Sequence, residues 1–408
     1  MADPSATWAG VLSSVIDRAH LATGDEISEI VDDAVAPLGL SAEVLLVNLA
    51  QDTLRSVRPG VVQGVDVEGT IAGRAFQTSE SLPGIAPDGE RVRWVPSLDG
   101  TERVGIVRFV LGGEVTDDDE LRARCWSLAG LVGHIVMAKL AYSDRLRRLR
   151  GNGPLSDAAE LLWQLVPPRT FATEQVVVAG LLEPWDRVAG DAYDYAAEGA
   201  LIDLAVYDGV GHDLTAGMTT ALALTAVRNE RRAQGADMVD LVRLADHADE
   251  LLAGRPGPLT FVTAVLARLD TRTGLLEYLV AGHPAPLVVR GGHIVRELDA
   301  AVGPPLGVPP RERRRVAARE QLEPGDRVLF YSDGIVEARD AAGEFFGVER
   351  LVDFTERAEL DRLPAPETLR RLSAAVLAHQ GGRLQDDATL LMVDWSAGKH
   401  RRLLPHRR

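Results

Sequence analysis

The stretch ALIDLAVYDG, residues 200–209, is a mostly apolar run that ends in an aspartate and a glycine. Apolar runs of about four to eight residues next to turn residues are typical of buried β-strands. Acids occur at the edges of three further strand-like runs: Asp191 follows QVVVAGLL, Asp333 ends RVLFYSD, and Asp386–Asp387 precede ATLLMVDW. We therefore expect four acidic positions at the edges of buried strands, with Asp191 in a loop.

Carboxylates at the edge of an apolar layer are unfavourable unless they are paired with a cation or bind one. Hard divalent cations such as Mg²⁺ and Mn²⁺ prefer carboxylate and water oxygens as ligands. Four carboxylates are enough for two such ions, and two ions roughly 3.5–4 Å apart commonly serve phosphoester hydrolysis. Each short motif alone is also typical of an ordinary turn, so the prediction depends on the four together.

The region from about 170 to 396 is predicted to be an α+β domain. Apolar runs predict seven strands, at residues 175–182, 200–208, 261–270, 275–282, 285–290, 327–333 and 388–395. Helical spacing predicts helices at 214–231, 238–253, 347–358 and 366–380. The turn TRTG, residues 271–274, suits a hairpin. Strands joined mainly by hairpins, with helices in pairs, indicate a layered α+β domain.

Composition excludes several classes of protein. The formal net charge of the 408 residues is −16, which disfavours nucleic-acid binding because phosphates require a basic face. Cys125 is the single cysteine, so neither an internal disulfide nor a thiolate zinc site is expected. The run CWSLAGLVGHIVMA is too short to span a bilayer, and the N-terminus has no signal-peptide pattern. We expect a cytoplasmic protein without a membrane span.

Seven motifs resemble the bacterial PP2C-like serine/threonine phosphatases of the SpoIIE/RsbU type. In chain order they are GDAYDY, YDGVGHD, FVTAVLARLD with LEYLVAGHPAP, GPPLGV, GDRVLFYSDGIVEARD, FGVERL and QDDATLLMV. The resemblance covers residues 170–396. It implies an α-β-β-α sandwich and a metal-dependent phosphoprotein phosphatase. It further implies a phosphorylated STAS-domain anti-anti-sigma factor as substrate, in partner-switching control of sigma factors.

The same resemblance implies a metal site holding two ions, either Mn²⁺ or Mg²⁺. Its ligands would be Asp191, Asp208 with the Gly209 carbonyl, Asp333 and Asp386. Asp387 would be a further ligand or a residue behind the ligands. A metal-activated water would be the nucleophile, so no side chain is assigned as catalytic. Asp194 is interpreted as structural.

The chain departs from the family motifs at three positions near these acids. Ala189 replaces a glycine before Asp191, Ser332 replaces a threonine before Asp333, and Asp213 replaces a glycine that could require a positive φ. Two histidines invite a catalytic interpretation, but His212 is interpreted as a helix-entry residue and His283 as a structural histidine at a strand end. All proposed ligands are present, so we expect an active enzyme.

The N-terminal region resembles a GAF sensory domain, on the residues GTIAGRAFQTSESL (69–82) and VRWVPSLDGTERVGIVRFVL (92–111). We predict a GAF-like domain at 1–125, a helical linker at 126–168, the phosphatase domain at 169–397 and a basic tail at 398–408. The first would be either a sensor of a small molecule or partner, or a structural module for dimerisation. The linker would support a homodimer, with GNGP (151–154) as a helix stop or a hinge.

Two alternative functions stay open at this point. One is a pseudophosphatase that acts as a regulatory binding protein, for which Ala189 and Asp213 are the only support. The other is a metal-dependent hydrolase of small phosphoesters such as nucleotides. The basic tail is interpreted as a solubilising segment, or else as an electrostatic contact with an acidic partner or membrane.

Overall fold

The computed structural model describes two compact units. The first covers residues 1–154 and includes Leu403, and the second covers residues 155–400. The described residues are all except 1–3, 87–88, 152, 184–186, 188–189, 212, 236–237, 255–259, 301, 309–314, 362, 383, 396–397, 399–402 and 404–408. Ala189, His212 and most of the predicted basic tail therefore lie outside the described residues.

The first unit contains an antiparallel sheet of six strands in the order β3-β2-β1-β6-β5-β4. The strands are β1 (Leu40–Val47), β2 (Thr53–Ser56), β3 (Val65–Asp66), β4 (Leu82–Ile85), β5 (Arg91–Asp99) and β6 (Glu102–Leu111). The helices are α1 (Pro4–Leu21), α2 (Ile27–Val35), α3 (Ile71–Thr78), α4 (Asp119–Leu140) and α5 (Asp144–Arg150).

Alternating residues of β1 send their side chains into two different cores. Val44 and Leu46 join the core that contains buried residues of α1, α2 and α4, whereas Leu45 and Val47 join the core around Phe76 of α3. Successive side chains of a strand point to opposite faces, so the sheet is covered on both sides. The mixed α/β architecture agrees with expectation, and the GAF likeness stays a prediction.

The predicted linker at 126–168 is not a separate segment in the structure. Helix α4 belongs to the first unit, where Leu128 and Val132 are buried in its core, and the next helix after α5 belongs to the second unit. The chain bends by 111° between α4 and α5, ten residues before GNGP. Ser143 caps α5 by accepting a hydrogen bond from the Leu146 N–H, which explains the new helix start.

The second unit contains two six-stranded sheets. The first sheet has the order β15-β12-β11-β10-β9, with β16 also paired to β12, and the second has the order β14-β13-β17-β18-β8-β7. The strands are β7 (Thr170–Ala172), β8 (Val176–Glu183), β9 (Asp191–Glu198), β10 (Leu201–Gly209), β11 (Val262–Asp270), β12 (Leu275–Ala281), β13 (Leu287–Arg290), β14 (His293–Glu297), β15 (Val302–Gly303), β16 (Ala318–Gln321), β17 (Arg327–Tyr331) and β18 (Ala388–Trp395).

Helices cover the outer faces of these two sheets. The helices of this unit are α6 (Asp157–Leu165), α7 (Leu214–Gln234), α8 (Leu241–Ala253), α9 (Asp333–Val336), α10 (Gly347–Leu360) and α11 (Ala365–His379). Helix α6 packs on α7, and α9 is a short helix that follows β17. Helices α7 and α8 pack on the β9–β12 sheet, and α10 and α11 pack on the other. The facing sheets share one core that includes Tyr193, Val206, Phe330 and Leu391. The predicted α-β-β-α sandwich is confirmed.

One predicted position was wrong. Asp191 is not in a loop but is the first residue of β9, a strand that the sequence pattern did not indicate. The polar residues of DAYDYAAE hide the strand, because Asp194 is buried against arginines instead of facing solvent. The TRTG hairpin between β11 and β12 was correct, and Gly274 supplies the positive φ of +73° that its turn requires.

Within the described part of the chain, no single helix is long and apolar enough to cross a membrane. The bent pair of α4 and α5 reaches the threshold by length and composition alone, and buried residues of α4 lie in the core of the first unit.

Candidate metal centre

Asp191 and Asp208 are direct cross-strand neighbours. Strand β9 begins at Asp191, β10 ends just after Asp208, and their antiparallel register pairs these two residues. Side chains of directly paired residues lie on the same face of a sheet, with Cβ atoms about 4.5–5.5 Å apart. The edge of the first sheet therefore carries two adjacent carboxyl groups, although 16 residues lie between them in the chain.

The second sheet supplies Asp333, Asp386 and Asp387. Strand β17 ends at Tyr331, so Asp333 opens the short helix α9, and Asp386 and Asp387 directly precede β18. The two segments are packed tightly, because a Cβ atom on Gly334 would lie 1.8 Å from the Asp387 carbonyl oxygen. Only glycine fits at residue 334, as the SDG motif suggests.

Hydrogen bonds between the sheets hold the acids from both sides. The Ser332 hydroxyl donates to Asp191 Oδ2 at 2.7 Å and accepts from the Thr389 N–H at 2.8 Å. The Gly190 N–H donates to Asp387 Oδ2 at 2.7 Å. Asp191 and Asp387 are thus fixed relative to each other by partners on opposite sheets.

The acids form a gradient of burial. Asp191 and Asp387 are buried, Asp208 is partly buried, and Asp333 and Asp386 are exposed to solvent. The site is therefore open on the side of Asp333 and Asp386, where a ligand in solution can reach the buried acids.

Burial and mutual repulsion raise the pKa of three of these carboxyls. Burial raises the pKa of Asp191 well above its usual value, and the charges of Asp208 and Asp387 raise it further. Burial and then the charges of Asp333, Asp386 and Asp387 raise the pKa of Asp208 to about 7. Desolvation raises the pKa of Asp333, as do the charges of Glu337 and Asp386. Repulsion of this kind shows that the acids from both sheets share one site.

Four of the five acids are not neutralised by arginine or lysine side chains among the described residues. The ion pairs between described residues include none that involves Asp191, Asp208, Asp333 or Asp386, whereas buried Asp194 contacts both Arg228 and Arg231. Neighbouring buried carboxylates without a cation are unfavourable, so the site has the charge of a cation-binding centre. The structural interpretation of Asp194 agrees with its two arginine partners.

The chemistry of the donors fits Mg²⁺ or Mn²⁺, which are hard cations that keep several waters. Among the described residues, no group of three acidic, histidine or cysteine side chains is close enough together to hold a metal ion without some movement. Ions that keep several waters need fewer direct protein ligands, so separated carboxylates can still serve them. The residues present therefore fit the metal site that the sequence predicts, and the individual ligand assignments remain predictions.

Gly209 lies where two elements meet. Its N–H donates to the Gly190 carbonyl, to which the Thr220 hydroxyl of α7 also donates at 2.6 Å. A Cβ atom on Gly209 would lie 2.3 Å from Thr220 Oγ1. The absence of a side chain at residue 209 thus allows α7 to approach the strand ends that carry Asp191 and Asp208.

The structure explains why aspartate is tolerated at residue 213, where the family motif has glycine. Asp213 has an extended backbone with φ of −118°, and its carboxylate caps α7 by accepting from the Ala216 N–H. The positive φ near this point belongs to Gly211. Asp213 is therefore an ordinary N-cap residue and gives no support to an inactive site.

The sequence pattern does not indicate the supporting roles of Ser332, Thr389, Gly190 and Thr220. Ser332 is the exception for which a local signal exists. Its adjacency to Asp333 was the available signal, because a hydroxyl beside a buried carboxylate commonly donates to it. The Thr389 and Thr220 contacts depend on tertiary packing, which no local pattern indicates.

Ser332→Ala is expected to lower metal-dependent activity by about 10-fold, because Asp191 then loses a charge-assisted hydrogen bond worth about 1.5–3 kcal/mol. Ser332→Thr keeps the hydroxyl and is the matched control. Steady-state rates of the two variants at saturating Mn²⁺ test this, and equal losses in both would mean that the hydroxyl does not matter.

The residues that form this site lie in a region that is similar in sequence to known proteins. Residues 199–396 match the family described as Stage II sporulation protein E (SpoIIE). The chain is 25% identical to Protein IcfG of Synechocystis over 245 residues, which are 54% of this chain and 38% of that protein. It is 21% identical to Phosphoserine phosphatase RsbU of Bacillus subtilis over 280 residues, or 65% and 78% of the two chains. The chain thus spans well under two thirds of IcfG.

One solved structure is that of the RsbU and RsbW domains of Rv1364c from Mycobacterium tuberculosis. It is 26% identical, covers 57% of this chain and 62% of that chain, and has a TM-score of 0.46. The second unit is a PP2C-like phosphatase domain of the SpoIIE/RsbU type. The prediction of this family is confirmed for the second unit, and the phosphatase activity belongs to the proposed function.

Proposed function

We propose that this chain is a Mn²⁺- or Mg²⁺-dependent protein serine/threonine phosphatase that acts on a phosphorylated STAS-domain protein. The observation that carries the proposal is the convergence of acids from two sheets, where Asp191, Asp208, Asp333 and Asp386 form no ion pair with any arginine or lysine in the described part of the chain. The name of the relative RsbU, a phosphoserine phosphatase, supports the phosphoprotein substrate.

In this proposal, Asp191, Asp208, Asp333 and Asp386 hold two divalent ions, with the Gly209 carbonyl and Asp387 in support. Bound ions would neutralise the acids, orient the phosphoryl oxygens and lower the pKa of water in the site. The chain's own contribution is mainly positioning. Ser332 fixes the carboxylate of Asp191, and the Gly190 N–H orients that of Asp387.

The first unit is proposed to regulate the phosphatase as a GAF-like sensor of a small molecule. The first unit has a half-open surface groove of about 210 Å³, lined in part by Ser41, Glu43, Arg58, Glu90 and Arg108. This groove is the place where we propose to look for a small polar ligand. The chain is further proposed to act as a homodimer, which light scattering would test.

The purified chain should dephosphorylate phosphoserine STAS proteins with Mn²⁺ and lose this activity in excess EDTA. Assays with the same enzyme on p-nitrophenyl phosphate and on nucleotides provide the comparison. Preference for the phosphoprotein supports the proposal, whereas faster hydrolysis of nucleotides would indicate a small-molecule phosphoesterase. Full activity in EDTA would contradict metal dependence, and binding of the STAS protein without turnover would indicate a pseudophosphatase.

A further inference from the structure

Thr263 continues the row of acids across the first sheet. It lies near the start of β11 and is the direct cross-strand partner of Asp208, which is in turn the partner of Asp191. Paired residues on adjacent antiparallel strands have their side chains on the same face. Thr263 is partly exposed, so its hydroxyl is next to the acidic centre and within reach of a ligand.

His283 holds this hydroxyl from the side away from Asp208. The histidine is 5% exposed and follows Gly282, whose φ of +68° turns the chain at the end of β12. Gly282 forms a bridge with Ala264, which brings His283 beside Thr263. The distance from His283 Nδ1 to Thr263 Oγ1 is 2.7 Å. Because threonine is β-branched, this hydrogen bond restricts its χ1 angle further.

The surroundings of His283 keep its ring neutral. Burial lowers the pKa of His283 to about 4, so the ring is neutral at pH 7 and carries one N–H. A backbone hydrogen bond at Tyr331 acts to raise this pKa, although Nε2 makes no hydrogen bond of normal geometry to the described residues. The direction of the bond to Thr263 depends on which ring nitrogen carries the proton. We place that proton on Nδ1, which then donates to Thr263 Oγ1.

We propose that Thr263 is a phosphoryl-binding residue of the acidic centre and that His283 is the positioning residue that directs its hydroxyl. With Nδ1–H as the donor, the Thr263 O–H proton remains available to a phosphoryl oxygen. A neutral donor has value here because the surrounding carboxylates repel a phosphate. This inference rests on the proposed phosphatase function and adds a substrate contact that the metal motifs do not include.

The test compares Thr263→Val with Thr263→Ser, since valine keeps the shape and serine keeps the hydroxyl. Loss of a hydrogen bond to a charged group corresponds to about a 10- to 100-fold change in a binding constant or in kcat/KM. We expect Thr263→Val to lower kcat/KM by that factor and to weaken binding of inorganic phosphate in the presence of Mn²⁺ by about 10-fold. Calorimetric Mn²⁺ affinity should be unchanged, and Thr263→Ser should stay within about 3-fold of wild type.

The role of His283 is tested by a double-mutant cycle. His283→Leu should lower kcat/KM in the wild-type background and cause no further loss in Thr263→Val, because it acts only through the hydroxyl. His283→Asn retains an N–H near the position of Nδ1 and should restore at least part of the loss. Additive losses, or no rescue by asparagine, would show that His283 is merely structural.

The outcomes separate this inference from the proposed function. If the wild type is active and Thr263→Val equals it in kcat/KM and phosphate affinity, the inference is wrong and the proposed phosphatase function stands. The same conclusion follows if Thr263→Ser is no better than Thr263→Val. A wild type that binds Mn²⁺ and phosphate without turnover contradicts the proposed function, and the phosphate affinities of the variants then decide the inference. A wild type that binds neither ion overturns both.

Discussion

Asp208→Asn abolishes metal-dependent phosphatase activity and at the same time raises the thermal stability of the metal-free protein. Loss of a central carboxylate removes several kcal/mol of charge stabilisation from a two-ion site, so we expect activity to fall by at least about 10³-fold. Stability rises because burial, and then the charges of neighbouring acids, raise the pKa of Asp208 to about 7. Above that pH the ionised carboxylate lowers the free energy of unfolding by roughly 2–4 kcal/mol. Asparagine carries no charge and does not have this cost.

Activity assays with Mn²⁺ and thermal melts in EDTA at pH 8 measure both effects. The expected rise in Tm is on the order of 5–10 °C. Asp194→Asn is the matched control, because Asp194 is equally an aspartate of the β9–β10 pair but is 1% exposed and bound by Arg228 and Arg231. Its replacement should lower Tm, since it leaves two arginine side chains without their partner. A fall in Tm for both variants would contradict the account.

The stabilisation of the protein by Mn²⁺ should increase with pH. Asp191, Asp208 and Asp333 have pKa values raised above those of unfolded aspartates, so the folded metal-free chain binds more protons than the unfolded chain between about pH 4 and pH 7. Stability conferred by those protons is present at low pH and is lost as the pH rises through this window. Metal ions compete with the same protons for the carboxylates.

Thermal melts at pH 5 and pH 8, with and without Mn²⁺, measure this linkage. The metal-free protein should lose stability between the two pH values, and saturating Mn²⁺ should raise Tm by several degrees more at pH 8 than at pH 5. In Asp208→Asn the difference should become much smaller. A Tm increase by Mn²⁺ that is equal at both pH values would mean that these acids are not its binding site.

The sequence was sufficient to predict seven strands of the second unit because these strands are strongly apolar and the ends of several carry the acids. Strands β10, β17 and β18 all lie within about two residues of the predicted runs. Asp208, Asp333 and Asp386–Asp387 therefore have the predicted positions relative to their strands. The prediction that these acids lie close together in space came from the family resemblance. A local sequence pattern alone does not define how strands pair.

The remaining features depend on tertiary contacts between distant residues. Strand β9 was missed because Asp194 is buried by Arg228 and Arg231 from α7, which reverses the expected alternation of polar and apolar residues. Within the predicted linker, α4 buries Leu128 and Val132 in the core of the first unit. An amphipathic pattern alone does not show which neighbour a helix packs against. The Thr263–His283 hydrogen bond spans 20 residues and has no local signal.

Calorimetric titration of Mn²⁺ at pH 7.5 into the wild-type chain and into Asp208→Asn tests the central claim most directly. The account predicts two bound ions per wild-type chain and loss of at least one of them, with much weaker binding, in the variant. An absence of binding to the wild type, or binding that Asp208→Asn leaves unchanged, would contradict a metal centre formed by Asp191, Asp208, Asp333 and Asp386.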